Sequence, residues 1–139
     1  MALSADSQRE KRGLGRMVVY PVKDDAIIFK GAIVTINAAG LAIAGIDTAS
    51  TTVGGIAVEK VDATDAGDGV KKIRCWVDAE FLFVATSITQ AMINTLMMVV
   101  DDNTVDDAAG ATNDIPVGKL TEFVSTTKGW VYVPGPTSL

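Results

Sequence analysis

Two Asp-rich segments of this 139-residue chain concentrate carboxylates that could bind a metal or transfer a proton. Such oxygen ligands suit calcium, but neither segment has the alternating ligand spacing and distant bidentate Glu of an EF-hand. Because Asp and Asn hydrogen-bond to nearby backbone and tolerate left-handed conformations, turn formation is the preferred interpretation, and calcium binding stays open. The residues concerned are Asp62, Asp65 and Asp68 in one segment, and Asp101, Asp102, Asn103, Asp106 and Asp107 in the other.

The composition excludes several classes of chemistry. The chain has no histidine and one cysteine, so a Ser-His-Asp or Cys-His nucleophile and a conventional zinc site are excluded. There is no Walker-type phosphate loop and no GxGxxG fingerprint. An enzyme that uses carboxylates alone, such as a glycosidase, needs two acids facing each other across a cleft, whereas the acids here cluster in short loops. We therefore expect no enzymatic activity and no cofactor.

The elements that would position these residues are β-strands. From Val70 to Val84 apolar and polar residues alternate, which is typical of a strand buried on one side. Cys75 lies on the buried side, so we expect an inert core thiol. The buried side comprises Ile73, Cys75, Val77, Ala79, Phe81 and Phe83, and the other side comprises Lys72, Arg74, Trp76, Asp78 and Glu80.

Shorter apolar segments predict about eight strands in all. A hairpin is expected around Asn37–Gly40, whose residues can supply the positive φ of a tight turn. A capping-box pattern from Ser87 to Gln90 predicts one short α-helix that extends to about Asn94. The other predicted strands cover residues 17–22, 26–29, 32–36, 41–44, 55–61, 115–124 and 129–133, and residues 96–100 are a further apolar segment.

Charge divides the chain into a basic arm and an acidic body. Residues 1–16 carry a net charge of +2 and residues 17–139 a net charge of −7. We interpret 1–16 as a flexible N-terminal arm, 17–133 as one β domain and 134–139 as a C-terminal tail. An acidic body argues against nucleic acid as the main partner. No apolar segment approaches the roughly 20 residues that span a bilayer, and the N-terminus lacks the apolar region of a signal peptide, so no membrane partner is expected.

Aromatic residues outside the predicted core are candidates for an interface. Trp76 lies on the polar side of its strand, and Trp130 and Tyr132 alternate with Val131 and Val133. Aromatic side chains are enriched among residues that dominate association energy. Coverage of Trp76 by the arm or by a loop of the same chain is an equally good interpretation. The hydrophobic fraction of 48% and the positive mean hydropathy also favour a buried interface.

Five segments of the chain resemble the small capsid decoration, or cement, proteins of tailed bacteriophages. The resemblance covers roughly residues 17–133 in the same element order and contains no catalytic motif. The segments are KGAIVTINAAGLAIAG at 30–45, GIAVEKVD from Gly55, VVDDNTV at 99–105, VGKLTEFVS at 117–125, and the closing GWVYV.

The resemblance implies an all-β fold, a small β-barrel or β-tulip domain, on the outer surface of a phage head. It implies a homotrimer that bridges major capsid protein subunits and stabilises the shell, made in the cytoplasm of the host bacterium. Under this hypothesis Arg9, Lys11, Arg12 and Arg16 contact acidic capsid surface, and Trp76, Trp130 and Tyr132 contribute to the trimer interface. A virion fibre or a receptor- or glycan-binding β module remains an alternative, since Trp76 could stack on a sugar.

Overall fold

The fold is all-β, as predicted, in a computed structural model that describes residues 2–135. Residues 136–139, most of the predicted C-terminal tail, and residue 1 of the predicted arm lie outside the described residues. The strands are β1 (Lys11–Arg12), β2 (Arg16–Pro21), β3 (Ile27–Ile28), β4 (Ile33–Ile36), β5 (Ala42–Ala44), β6 (Thr52–Ala57), β7 (Val61–Asp62), β8 (Lys72–Val77), β9 (Ala79–Ala85), β10 (Leu96–Val99), β11 (Thr104–Asp106), β12 (Pro116–Ser125) and β13 (Lys128–Val133).

Five of these strands close into a barrel. The order around the ring is β9-β11-β10-β12-β13, and β13 returns to pair with β9. The closing pair is antiparallel and runs from Ala79 opposite Val133 to Val84 opposite Lys128, whereas β11 pairs with β9 in parallel. Every ring strand therefore has a partner on both sides, which removes the open edges of a flat sheet. The short strand β1 adds to β9 outside the ring, with Lys11 opposite Phe81.

The barrel interior is filled by the alternate residues of its strands. Phe81 and Phe83 project from β9 and are both 1% exposed. Their rings meet edge to face, with centroids 6.5 Å apart and an interplanar angle of 62°. Leu120 of β12 and Val131 of β13 are fully buried in the same cluster. Aromatic pairs of this geometry add to the stabilisation from buried apolar area.

A second sheet lies beside the barrel, with strand order β2-β8-β6-β4-β5. Its ends approach each other through an isolated parallel bridge between Val22 and Ala42. The sheet curls around its own apolar cluster, which includes Val34, Ile73 and Cys75, all fully buried. The two-stranded pair β3–β7 contributes Ile28 to this cluster. The protein therefore has two apolar clusters: one lies inside the second sheet, and the other fills the barrel and extends to Ile33 and Ile56 of the second sheet.

The long strand predicted over Val70–Val84 is two strands, β8 and β9, that belong to different sheets. The chain turns at Asp78, which has a φ of +59°. Aspartate is one of the few residues that adopt this left-handed conformation at low cost. Its carboxylate accepts hydrogen bonds from Arg16 Nε (2.7 Å) and from the Gly135 N–H (2.8 Å), which hold the turn. The buried alternation continues from Val77 to Ala79 across the turn, so the pattern alone does not show the break.

The predicted α-helix is wrong in extent and type, because the segment contains only one turn of 3-10 helix, Gln90–Met92. Ser87 has a φ of +56°, whereas a helix N-cap needs an extended backbone. The fully buried Ile88 donates its N–H to the Thr126 carbonyl, so this residue joins the barrel instead of starting a helix. Among residues 2–135 no helix has the length and apolar character needed to cross a bilayer.

The hairpin prediction is confirmed. The β4–β5 pair is antiparallel, and the Asn37 carboxamide oxygen accepts the N–H groups of Ala39 and Leu41 at 2.9 and 3.0 Å. Gly40 supplies the positive φ of this turn, +81°. Two short strands lie where the sequence predicted none: β1 falls in the predicted arm, and β11 falls inside the second Asp-rich segment. The three residues of β11 are too few to show an alternation, although all of them are buried.

Cys75 provides a test of the apolar cluster inside the second sheet. Burial raises the pKa of its thiol to about 12, and the nearby Glu59 charge adds to the effect. The thiolate is the reactive form, so the native protein should not react with a thiol reagent at pH 8. In denaturant one thiol per chain should react, and the reaction followed by absorbance reports unfolding. Rapid modification of the native protein would contradict this packing.

Candidate functional site

The N-terminal arm, residues 2–16 as described here, lies along the surface of both sheets. It is held by main-chain pairing at β1 and by hydrogen bonds along its length. Since these bonds involve main-chain groups at several points, the arm has a defined path and register on the body. They join Leu3 N–H to Asp102 Oδ1 (2.8 Å), Lys30 N–H to Asp6 Oδ1 (3.0 Å), Ser7 N–H to the Lys30 carbonyl (2.8 Å) and Leu82 N–H to the Glu10 carbonyl (3.1 Å).

Arg9 is the most enclosed cation of the arm. Its guanidinium donates to the Gly31 carbonyl (2.7 Å), the Leu82 carbonyl (2.8 Å) and Asn103 Oδ1 (2.9 Å). It also lies 4.6 Å from the centroid of the Phe83 ring. Burial lowers the pKa of Arg9 to about 10, against the opposing effects of the Asp102 and Asp101 charges. Arg9 therefore stays charged at neutral pH and fastens the arm to β9 through hydrogen bonds and a cation–π contact.

Arg12 bridges two carboxylates and one indole ring. Its guanidinium donates to Glu122 (2.8 Å) and Glu80 (3.2 Å), and it stacks 3.8 Å from the centroid of the Trp130 ring. The hydrogen bond that Arg12 donates to Glu122 is the main reason that the pKa of Arg12 is raised. Its Nε atom is buried without a hydrogen-bond partner among residues 2–135. Arg12 thus links the arm to β9, β12 and β13 at once.

Lys11 covers the second tryptophan. Its ammonium group lies 4.2 Å from the centroid of the Trp76 ring and donates to the carbonyls of Gly13 (2.8 Å) and Leu14 (2.9 Å). Trp76 also packs against the barrel core. The arm therefore covers the Trp76 indole, which is one of the two interpretations that the sequence allowed. Arg16 completes the series through its 2.7 Å ion pair with Asp78 at the turn between β8 and β9.

The two sets of site residues that the sequence indicated separately come together in one surface, which we call the arm face. Tyr132 belongs to it as well, with 39% of its surface exposed and its hydroxyl 3.4 Å from Asp78 Oδ1. The sequence did not indicate the roles of Phe83, Asp78 and Asn103, because no local pattern pairs the arm with β9. The arm face consists of Arg9, Lys11, Arg12, Arg16, Trp76, Trp130 and Tyr132.

The Asp-rich segments use their carboxylates to hold loops. Asp62 Oδ1 accepts both the N–H and the hydroxyl of Thr64, and Asp101 Oδ1 accepts the N–H groups of Asn103 and Thr104. These contacts are the turn interactions expected of Asp. Across residues 2–135, no group of three or more acidic, His or Cys side chains has the arrangement of a metal site.

The grooves of the arm face are small. The two grooves beside Arg9 have volumes of about 230 and 80 Å³, below the range of roughly 300–1,000 Å³ that is typical of small-molecule sites. Both grooves include residues of the arm itself, Ser7 and Gln8. Neither protein-family models nor curated proteins match this chain. The function must therefore be inferred from the residues of the chain itself.

Replacement of Arg9 by Met should destabilise the protein by about 2–4 kcal/mol, because it leaves two carbonyls and Asn103 without their donor. The matched control is Arg74→Met. Arg74 forms a 3.0 Å ion pair with Glu59 on an exposed surface, and such pairs contribute about 1 kcal/mol or less. Urea unfolding of the two variants measures the difference. Equal shifts in the unfolding midpoint would contradict the anchoring role of Arg9.

Asp102 gives a pH-dependent signature of the arm contact. Burial is the main reason that the pKa of its carboxyl is raised, and the Leu3 N–H opposes this shift. The folded state therefore binds the proton more tightly than the unfolded state. Stability attributable to Asp102 should be highest below its ordinary pKa and should decline as pH rises through the raised value. The Asp102→Asn variant keeps an oxygen acceptor for Leu3 and should lack this decline. Parallel stability curves for the two proteins between pH 3 and 7 would contradict the assignment.

Proposed function

We propose that this chain is a structural virion protein that binds the outer surface of a tailed-phage head. As a homotrimer it bridges neighbouring major capsid protein subunits and stabilises the shell. The chain carries no catalytic role in this proposal and binds no cofactor. It is made in the bacterial cytoplasm and acts on the assembled head.

The observation that carries the proposal is where the resembling segments lie in the fold. VGKLTEFVS falls within β12, and GWVYV falls within β13, which closes the barrel against β9. The KGAIVTINAAGLAIAG segment contains the β4–β5 hairpin of the second sheet. The resemblance thus involves the wall of the barrel and the edge of the second sheet, both of which a rigid cement module needs.

The charge distribution supports a surface-binding role. The body has a net negative charge, whereas the arm concentrates four cations on one face. Arg12 and Arg16 each keep 40% of their side-chain surface exposed despite their ion pairs. An acidic patch of a partner could therefore share these guanidinium groups, which provides orientation and a salt-dependent association rate.

The arrangement of the two tryptophans bears on the alternative function. Stacking on a sugar requires an accessible indole face, but Trp76 is covered by Lys11 and Trp130 by Arg12. No specific feature of the arm face favours a glycan-binding module over a capsid-binding one. Binding to host cells or glycans in place of shells would be the result that favours the fibre function.

Empty shells of the phage that encodes the chain should bind the wild-type protein saturably, in multiples of three copies. Removal of residues 2–12 should lower occupancy and weaken its dependence on salt, because three of the four cations, Arg9, Lys11 and Arg12, are lost. The control is Lys72→Ala, which removes one exposed charge from β8 outside the arm face. Sedimentation of shells with bound protein at increasing NaCl measures both effects. Absence of wild-type binding would overturn the proposed function, and equal binding of the truncated protein would remove the arm from it.

A further inference from the structure

The arm and the body are joined by a short turn with the properties of a hinge. The turn consists of Gly13, Leu14 and Gly15, and the two glycines have φ values of +92° and +65°. A β-carbon on Gly15 would lie 2.9 Å from the Val77 carbonyl oxygen, so the folded-back geometry requires glycine there. Among residues 2–135, the carbonyls of Gly13 and Leu14 accept hydrogen bonds from one group, the ammonium of Lys11. Opening the turn would cost few interactions.

The same turn exposes apolar surface that a single copy leaves in water. Leu14 is 92% exposed, and Met17 and Val19 in the following strand are 44% and 59% exposed. The Val22 N–H donates to the Lys71 carbonyl, and bonded and non-bonded pairs alternate along an antiparallel ladder. The main-chain groups of Met17 and Val19 therefore face away from β8, toward the open edge of β2. Among residues 2–135 no other strand pairs with this edge. An apolar, unpaired edge of this kind is ordinarily covered in an assembled protein.

The docking site of the arm is specific, and every copy carries it. The Arg9 guanidinium contacts two carbonyls, the Asn103 side chain and the Phe83 ring. The Arg12 guanidinium contacts Glu80, Glu122 and the Trp130 ring. The arm is basic and the body acidic, so a neighbouring body attracts the arm as its own body does. An arm that crosses to another copy would recover all of these contacts, which makes exchange a low-cost route to an oligomer.

We propose that the N-terminal arm is exchanged between copies of this chain, with residues 2–12 of one copy docked on the barrel of the next and Gly13–Gly15 acting as the hinge. When each copy passes its arm to the next in one direction, the contact is heterologous, and it forms a closed ring when the rotation between copies closes. A ring places Leu14 and the open edge of β2 at the junction between copies. Only the count of three in this ring rests on the proposed function, because exchange is a property of the free protein.

Disulfide trapping between two different variants tests the exchange. Arg12 and Glu80 are register partners across the β1–β9 pair, within the separation that a disulfide accepts. The variants Arg12→Cys and Glu80→Cys are unfolded together, refolded together and oxidised with copper–phenanthroline. A disulfide between the two different chains forms rapidly when the arm of one copy lies on the barrel of another, whereas undocked chains form it only through slower random collisions. Cys75 does not interfere, since it is buried and its thiol has a pKa of about 12.

The control is a mixture of the Arg12→Cys and Lys72→Cys variants. If the arm is exchanged, the disulfide between Arg12→Cys and Glu80→Cys chains should form on the order of a hundredfold faster than the disulfide in the control, because docked thiols have a higher effective concentration than thiols on free chains at micromolar concentration. Lys72 pairs with Pro21 at the far end of β8, away from the arm. Equal rates in the two mixtures would overturn the proposal. The Arg12→Cys/Glu80→Cys double variant would then give only an intramolecular disulfide, or none. Binding of shells by the wild-type protein is scored separately, so failure of exchange and failure of the proposed function are distinguishable.

A second variant keeps the test independent of the cysteine substitutions. Insertion of Gly-Ser-Gly-Ser between Gly13 and Leu14 lengthens the hinge and lets the arm fold back on its own barrel without the tight turn. All docking residues remain in place. Sedimentation should show the wild type as an oligomer and the insertion variant shifted to monomer. An unchanged mass for the insertion variant, or a monomeric wild type at micromolar concentration, would overturn the exchange.

Discussion

The structure depends on the pairing of β9 with three strands. β13 pairs with it along six residues and closes the barrel, β11 pairs with its C-terminal end, and β1 pairs near its N-terminal end. The inward side of β9 supplies Phe81 and Phe83 to the core, and Phe83 also meets Arg9. Barrel closure, core packing and docking of the arm therefore share one strand. A change that displaces β9 would disturb all three together.

The arm face follows from a second constraint, the turn at Asp78. This single left-handed residue sends the chain from the second sheet into the barrel, and its carboxylate joins Arg16 and Gly135. The start of β2 and the residues after β13 are thereby brought to the same place. Lys11 and Arg12 then lie over Trp76 and Trp130, which belong to different sheets. Cation–π contacts of this kind connect the two halves of the protein in addition to the apolar packing of Ile33 and Ile56 against the barrel cluster.

The sequence predicted the parts of the fold that local patterns determine. Alternation from Ile73 to Phe83 identified the buried residues correctly, because a period of two is a property of the strand itself. The break at Asp78 could not be predicted, since the buried alternation passes through it. The helix prediction was wrong because burial of Ile88 in the barrel outweighed a weak capping pattern. The candidate site residues were identified from residue type alone. The positions of the arm cations over Phe83 and the two indoles depend on the pairing of β1 with β9, and these strands are nearly 70 residues apart in sequence.

The function that we propose is mechanical stabilisation of a phage shell. The most direct measurement is the temperature at which empty shells rupture, followed by light scattering and electron microscopy with and without saturating protein. We expect decorated shells to rupture at a higher temperature, with a gain that grows with occupancy until the sites are filled. Rupture at the same temperature with fully occupied shells would contradict a stabilising function.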